Sequence, residues 1–142
     1  MPQRVITINK KLPTRLKKVN PFIKQVIRSI SKQARLENEF FALELALEEA
    51  LTNAMRHGNK LDPKLNVKVS IKVMPQKIIL DVHDEGRGFN FLKVPDPTKE
   101  RHRSKLSGRG IFIMRSIMDS VKFYDKGSGV KLTKSFRRIH EK

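Results

Sequence analysis

The stretch Leu65-Asn66-Val67-Lys68-Val69-Ser70-Ile71-Lys72-Val73 alternates apolar and polar side chains at every step. A period of two is typical of a strand with one buried face and one solvated face. After Met74-Pro75-Gln76, residues 77–83 repeat the period through Ile78, Leu80 and Val82, so the two segments predict an antiparallel hairpin. The apolar face of this hairpin needs a covering layer.

Two helices are predicted before the hairpin. The first begins at Asn20-Pro21, where Asn is a good N-cap and Pro fits the first helical position. The second runs from about Asn38 to His57 and stops at Gly58. Their buried stripes recur at spacings of three and four, and they are Ile23, Val26, Ile27, Ile30 and Ala34 in the first helix and Leu43, Leu47, Ala50, Leu51 and Ala54 in the second.

The remaining segments complete an alternating order. Val5–Ile8 is a short strand, and periodicity is lost from residue 89 to Ser107, a loop long enough to suggest a functional role. Residues 109–119 form a third helix, and residues 121–124 and 130–136 form a closing hairpin. The order β-α-α-β-β-loop-α-β-β predicts an α+β fold, a two-layer sandwich with helices on one face of a largely antiparallel sheet.

Composition limits the classes of protein that fit. The chain has 142 residues, 38% of them hydrophobic, which favours one domain over residues 1–142 rather than a disordered chain. No apolar run approaches the ~20 residues of a membrane-spanning helix. Cysteine is absent, which excludes disulfides and thiolate zinc sites. The start, Met1-Pro2-Gln3-Arg4, does not resemble a secretory signal, so a cytoplasmic location is expected.

Charge is strongly basic and segmental. Lys and Arg number 31 against 14 Asp and Glu, a net charge of +17. All charged residues in 1–35 are basic, all those in 36–53 are acidic, and further basic clusters lie in 99–109 and 131–142. Such a charge suits nucleic acid or an anionic surface. However, the chain has no Trp, one Tyr and no recognisable helix-turn-helix, so we expect no direct nucleic-acid partner and no membrane partner.

The second helix carries Glu49, Asn53 and His57 at spacings of four, on a face distinct from its apolar stripe. One interpretation is a solvated helix edge. The other is a magnesium site, in which Asn53 offers a neutral oxygen ligand and Glu49 acts as a general base beside a metal-bound phosphate.

Two glycine-containing segments could contact a nucleotide. Asp84-Glu85-Gly86-Arg87-Gly88 follows a strand, where Gly permits close backbone approach and Asp can accept a hydrogen bond from an exocyclic amine. Ser107-Gly108-Arg109-Gly110 precedes a helix, where free N–H groups can bind an anion. An ordinary glycine turn and a simple N-cap at Ser107 are the alternatives.

Together, Glu49-Ala50-Leu51-Thr52-Asn53-Ala54-Met55-Arg56-His57-Gly58 and these two segments resemble the N box and the two glycine boxes of the GHKL (histidine-kinase-like) ATPases. More narrowly they resemble the bacterial anti-sigma factor serine/threonine kinases. The likeness covers roughly residues 20–136. It implies a Bergerat-type fold with a mostly antiparallel mixed sheet, in which residues 1–19 are an N-terminal strand and basic lead-in and residues 89–107 are an ATP lid.

The resemblance also implies roles for single residues. Glu49 is the catalytic base and Asn53 binds Mg²⁺. The remaining ATP contacts are His57, Asp84, Gly86, Gly88, Lys105, Gly108, Arg109 and Gly110, and Asp84 among them receives the adenine amino group. Lys24 and Arg28 on the first helix would bind partner proteins. Where the family commonly has Gly-Thr on a late strand, this chain has Gly129-Val130, and Leu106 replaces a frequent basic residue.

For function, the resemblance implies a Mg-ATP-dependent factor that regulates transcription. It would sequester a sigma factor, phosphorylate Ser or Thr of an anti-anti-sigma (STAS-type) antagonist, and form a homodimer. The alternative is a nucleotide-gated protein-binding switch without kinase activity. A basic nucleic-acid-binding protein is a third hypothesis, motivated by the +17 charge alone.

Overall fold

A computed structural model of the protein describes residues 5–32, 39–86 and 106–135, with only the backbone of residues 106–109. The predicted order of elements is confirmed. The elements are β1 (Ile6–Pro13), α1 (Val19–Ser31), α2 (Glu39–Asn53), β2 (Asn66–Val73), β3 (Lys77–His83), α3 (Leu106–Ile117), β4 (Ser120–Tyr124) and β5 (Gly129–Ser135).

The five strands form one sheet in the order β1-β2-β3-β5-β4, and every pairing among the described strands is antiparallel. In the predicted hairpin, Val69 lies opposite Val82 and Ile71 lies opposite Leu80. The alternating residues of β2 therefore face the core, as their period of two predicts, and the lysines between them face outward.

The hydrophobic core lies between this sheet and the three helices, so the predicted α/β sandwich is confirmed. Ile23, Val26 and Ile30 of α1 are buried, and so is the whole predicted stripe of α2. Ala34 of the first stripe lies outside the described residues. From α3, Ile111 and Met114 reach the core. No helix in the described part of the chain is long and apolar enough to cross a membrane.

Three predicted boundaries are wrong. Helix α1 begins at Val19, after a 3-10 turn at Leu16–Lys18, so Asn20 lies within its first turn and makes no capping hydrogen bond. Strand β1 extends to Pro13, because the edge strand follows β2 along its whole length. Helix α3 begins at Leu106, so the lid predicted to end at 107 gives way to helix earlier, and Ser107 is not its N-cap.

Candidate functional site

The predicted base and metal ligand meet the start of α3. A Cβ placed on Gly110 would overlap Oε2 of Glu49 and lie 3.2 Å from Nδ2 of Asn53. Glycine at this position therefore allows the helix to pack directly against both side chains. Gly110 is the fifth residue of α3, so this corner lies one turn after the first N–H groups of the helix, which have no carbonyl partner within it. Segments 57 residues apart in sequence thus form one polar corner.

Asn53 is 8% exposed, yet its Nδ2 has no hydrogen-bond partner among the described residues. A buried amide without a partner is costly, so Asn53 is a candidate for contact with a bound ligand. Its carboxamide oxygen is a donor of the hard type that Mg²⁺ prefers. No group of three or more His, Cys, Asp or Glu side chains in the described ranges could hold a metal. A site of one Asn oxygen, nucleotide phosphates and water needs none, so Asn53 fits Mg²⁺ held together with a nucleotide.

A second corner is built around Asp84 at the end of β3. A Cβ on Gly58 would overlap the carboxylate of Asp84, and a Cβ on Gly86 would overlap the carbonyl group of Gly58. The backbone N–H of Gly86 donates to Oδ1 of Asp84 at 2.8 Å. Gly58, predicted only as a helix stop, is therefore also the residue that makes room for the Asp84 carboxylate.

Asp84 is 2% exposed, and burial raises the pKa of its carboxyl group, opposed by the Gly86 N–H, His83 and Ser128. Its N–H donates to the Ser128 carbonyl at 2.9 Å. The Ser128 hydroxyl donates to the Gly86 carbonyl at 3.4 Å, and its proximity to Asp84 opposes the rise in the pKa of that carboxyl group. Ser128 was not predicted as a site residue. It lies just before the strand position at which the chain departs from the family pattern.

The backbone between the two corners is a π-helical turn, Ala54–Gly58, continuing α2. The N–H of Asn59 donates to the Ala54 carbonyl at 2.8 Å, five residues back. Because a π turn takes more residues than an α turn, His57 does not continue the row of Glu49 and Asn53 as a spacing of four predicts. His57 is half-buried, and its burial, together with the charge of Arg56, lowers the pKa of its imidazole.

Asn59 ties this turn to the rest of the fold. It is 2% exposed, and its Nδ2 donates to Oγ1 of Thr14 at 2.8 Å and to the Asn66 carbonyl at 3.0 Å. Its Oδ1 accepts the N–H of Glu85 at 2.8 Å. Glu85 in turn accepts the N–H of Asn66. The segment after β3 is therefore held by a buried amide that no sequence motif indicated.

A small pocket between α2, α3 and the sheet has one residue of each corner, Asn53 and Asp84, in its lining. Its lining is mostly apolar and consists of Ala50, Asn53, Ala54, Val82, Asp84, Met114, Phe123, Gly127, Ser128 and Val130. A family model described as a histidine kinase-like ATPase domain matches residues 12–134. This chain belongs to that family. No curated protein is similar enough to this histidine kinase-like ATPase domain to count as a match.

Membership in the histidine kinase-like ATPase family indicates ATP binding and an activity of the ATPase or kinase type. Of the predicted contacts of this ATPase domain, the structure brings Glu49, Asn53 and Gly110 together in one corner and Asp84 and Gly86 in the other. The backbone of residues 108 and 109 lies in the first turn of α3. Gly88, Lys105 and most of the predicted lid lie outside the described residues.

Proposed function

We propose that this ATPase domain is a Mg-ATP-dependent anti-sigma regulatory factor, which sequesters a sigma factor and phosphorylates a Ser or Thr of an anti-anti-sigma antagonist of the STAS type. The observation that carries the proposal is the contact of the Glu49 carboxylate with the Gly110 backbone beside Asn53. A base and a metal ligand then lie together one turn from the N-terminus of α3, and a terminal phosphate would lie beside them.

In this proposal each residue has one task. Mg-ATP, when bound, supplies the phosphoryl group and offsets part of its charge. Asn53 holds the metal, and the N–H groups of α3 orient the phosphates. Glu49 takes the proton from an incoming Ser or Thr hydroxyl as its oxygen bonds to the γ-phosphorus and the bond to ADP breaks.

The Asp84 corner would fix the base of the nucleotide. A carboxylate that is 2% exposed and held by the Gly86 N–H is orientated to accept a hydrogen bond from an exocyclic amine. Where the family's Thr would stand, Val130 lines the pocket, and it pairs with Val82 across the sheet. Ser128 offers a hydroxyl in its place.

Partner proteins would bind at α1. Lys24 and Arg28 are exposed on this helix, on the side opposite its buried stripe of Ile23, Val26 and Ile30. This arrangement suits an acidic surface on a sigma factor or on the antagonist. The proposal also includes a homodimer of this chain, as the resemblance implies.

Transfer of labelled phosphate from Mg-ATP to STAS-domain proteins of the same organism tests the proposal. Glu49→Gln is expected to slow transfer by about 100-fold or more, because the proton acceptor is lost. The matched control is Glu48→Gln, which removes the same charge from an exposed neighbour. Equal transfer by Glu49→Gln and wild-type protein would show that Glu49 is not the base.

A nucleotide-gated switch without phosphoryl transfer is the second candidate, favoured by Val130 in the adenine pocket where a hydroxyl is common in the family. Both candidate functions would use Asn53 and Asp84 to bind the nucleotide. Thermal stabilisation by Mg-ATP that Asn53→Ala abolishes, together with no labelled product on any STAS protein, would favour this candidate.

A further inference from the structure

The sheet has a second face, away from the helices, and it is strongly basic. The strand registers place six exposed lysines on it: Lys11, Lys68, Lys72, Lys77, Lys122 and Lys131. On the strands of this face, Asp81 is the single acidic residue, and the large apolar or aromatic side chains are Ile79, His83 and Tyr124. We call this surface the lysine face.

Lysines lie directly opposite one another on the lysine face. Lys11 pairs with Lys68, and Lys122 pairs with Lys131. Like charges in such cross-strand positions are destabilising. None of the six makes an ion pair with a carboxylate within the described ranges. The one acidic residue on these strands, Asp81, lies opposite Lys131. The surface therefore carries a net positive charge, and a bound anion would reduce the repulsion between its lysines.

A groove crosses this surface. It has a volume of ≈ 630 Å³, and Lys11, Lys68, Ser70, His83 and Tyr124 are among its lining residues. The Tyr124 ring lies over Gly129, where a Cβ would overlap it, and its hydroxyl donates to Asp81. The ring of His83 is 5.6 Å away, and Nε2 of His83 is 2.9 Å from Oδ2 of Asp125. The aromatic ring is thus fixed in orientation while 38% of Tyr124 stays exposed.

We propose that the lysine face binds single-stranded nucleic acid, with phosphodiester groups on the lysines and a base stacked on Tyr124. Lysine acts as a point charge for phosphate, and an exposed, immobilised ring provides a stacking surface that every base can use. The site is separate from the ATP pocket, which lies on the opposite side of the sheet. From the sequence alone, no direct nucleic-acid partner is expected, because the chain has one Tyr and the sequence does not show that lysines surround it in the folded sheet.

Other occupants fit the lysine face less well. Protein interfaces are depleted in Lys and enriched in Arg and aromatic residues, whereas this face has no Arg on its described strands. A second copy would bring the same lysines against each other. A flat anionic bilayer would not reach the recessed groove, and the face has no exposed apolar side chain that could insert apart from Tyr124.

Fluorescence anisotropy with labelled oligo-U and oligo-dT tests the proposal on the full chain at several salt concentrations. Wild-type protein is expected to bind at physiological salt. Replacing Lys68, Lys122 and Lys131 together with Gln is expected to weaken binding at least about tenfold and to reduce the slope of log affinity against log salt by about 2, since each single-strand phosphate contact contributes about 0.7. The matched control replaces Lys17, Lys18 and Lys64, which lie outside the sheet, with Gln.

Folding and competing ligands are checked in the same samples. The Gln variant should melt no lower than wild-type protein, because it removes both repulsive lysine pairs. A Lys-to-Arg version at the same three positions should retain binding. Equal weakening by the control variant, no binding at physiological salt, or equal binding of a duplex would overturn the proposal. Retention of phosphatidylserine vesicles, without oligonucleotide binding, would also reject it. Unchanged Mg-ATP stabilisation in the Gln variant separates this test from that of the proposed kinase.

Discussion

At the scale of the residue, Asp84 combines two opposed requirements. In the proposed function it accepts a hydrogen bond from the nucleotide, yet it is almost fully buried, and this burial raises the pKa of its carboxyl group. The raised pKa means that the ionised carboxylate destabilises the folded protein relative to a solvated one. Function at this position therefore opposes stability.

Asp84→Asn is expected to abolish stabilisation by Mg-ATP while leaving the melting temperature of the free protein equal or higher. The amide oxygen can still accept the Gly86 N–H, and the side chain carries no buried charge. Its NH₂ group is a donor, so it cannot accept a hydrogen bond from the amine of the nucleotide. Differential scanning fluorimetry with and without Mg-ATP measures both effects.

The stability difference between Asp84→Asn and wild-type protein should depend on pH in one direction. With a raised pKa, the folded state holds the Asp84 proton more tightly than the unfolded state, so this group lowers the unfolding free energy as pH rises from the ordinary Asp range to the raised value. Asn does not titrate. The gain of the variant over wild type should therefore be larger at neutral pH than near pH 4. A constant gain across this range would contradict the burial argument.

Ser128 and Val130 can be separated by mutation. Ser128→Ala is expected to weaken nucleotide binding about 3- to 10-fold, because it removes a pocket-lining hydroxyl that hydrogen-bonds the Gly86 carbonyl beside Asp84, worth about 1 kcal/mol. Val130→Thr in the same chain should recover part of the loss, since residue 130 lines the same pocket. Calorimetric titration with Mg-ATP measures the pair. Full affinity in Ser128→Ala would remove Ser128 from the site.

The sequence motifs predicted Glu49, Asn53, Asp84, Gly86 and Gly110, which the structure brings into the two corners, because motif spacing marks residues whose chemistry is fixed by their own segment. It did not identify Gly58, Asn59 or Ser128 as parts of the site. Their roles depend on contacts between segments far apart in the chain, such as Asn59 with Thr14 and Ser128 with Asp84. A lone Asn or Ser carries no periodic or spacing signal of such a contact.

At the scale of the element, the strands were predicted better than the ends of the helices. The period of two in β2 is a property of the segment itself, so β3 was located to the residue and β2 to within one. Helix ends depend on what the chain does next. The π turn after α2 follows from the need to bring Gly58 to Asp84 and Asn59 to Glu85, which an ideal helix would not meet.

Two asparagines test this interpretation. Asn59→Ala is expected to lower the unfolding free energy by about 2 to 3 kcal/mol, because it leaves the buried N–H of Glu85 and the oxygens of Thr14 and Asn66 without their partner. Asn20→Ala is the control. A true N-cap would lose about 1 kcal/mol, but Asn20 lies inside α1 without a capping bond, so little change is expected. Urea unfolding measures the unfolding free energy of both variants. A loss of about 1 kcal/mol or more in Asn20→Ala would show that Asn20 is an N-cap after all.

At the scale of the whole molecule, part of the excess positive charge lies on the lysine face of the sheet. In sequence the lysines of the lysine face are scattered from residue 11 to residue 131, within β1 to β5. Antiparallel pairing gathers them, because every second residue of each strand faces outward. The α+β class followed from the sequence pattern, whereas this convergence required the strand order and register.

Because the folded state concentrates like charges that the unfolded chain separates, screening should favour folding. Raising sodium chloride from very low to physiological concentration is expected to raise the melting temperature of the free protein by several degrees, since about 1 kcal/mol corresponds to roughly 4 °C for a domain of this size. The variant with Gln at positions 68, 122 and 131 should gain less, and the variant with Gln at 17, 18 and 64 should respond more like wild-type protein. If all three proteins gained equally, the repulsion would belong to the net charge of +17 as a whole and not to the lysine face.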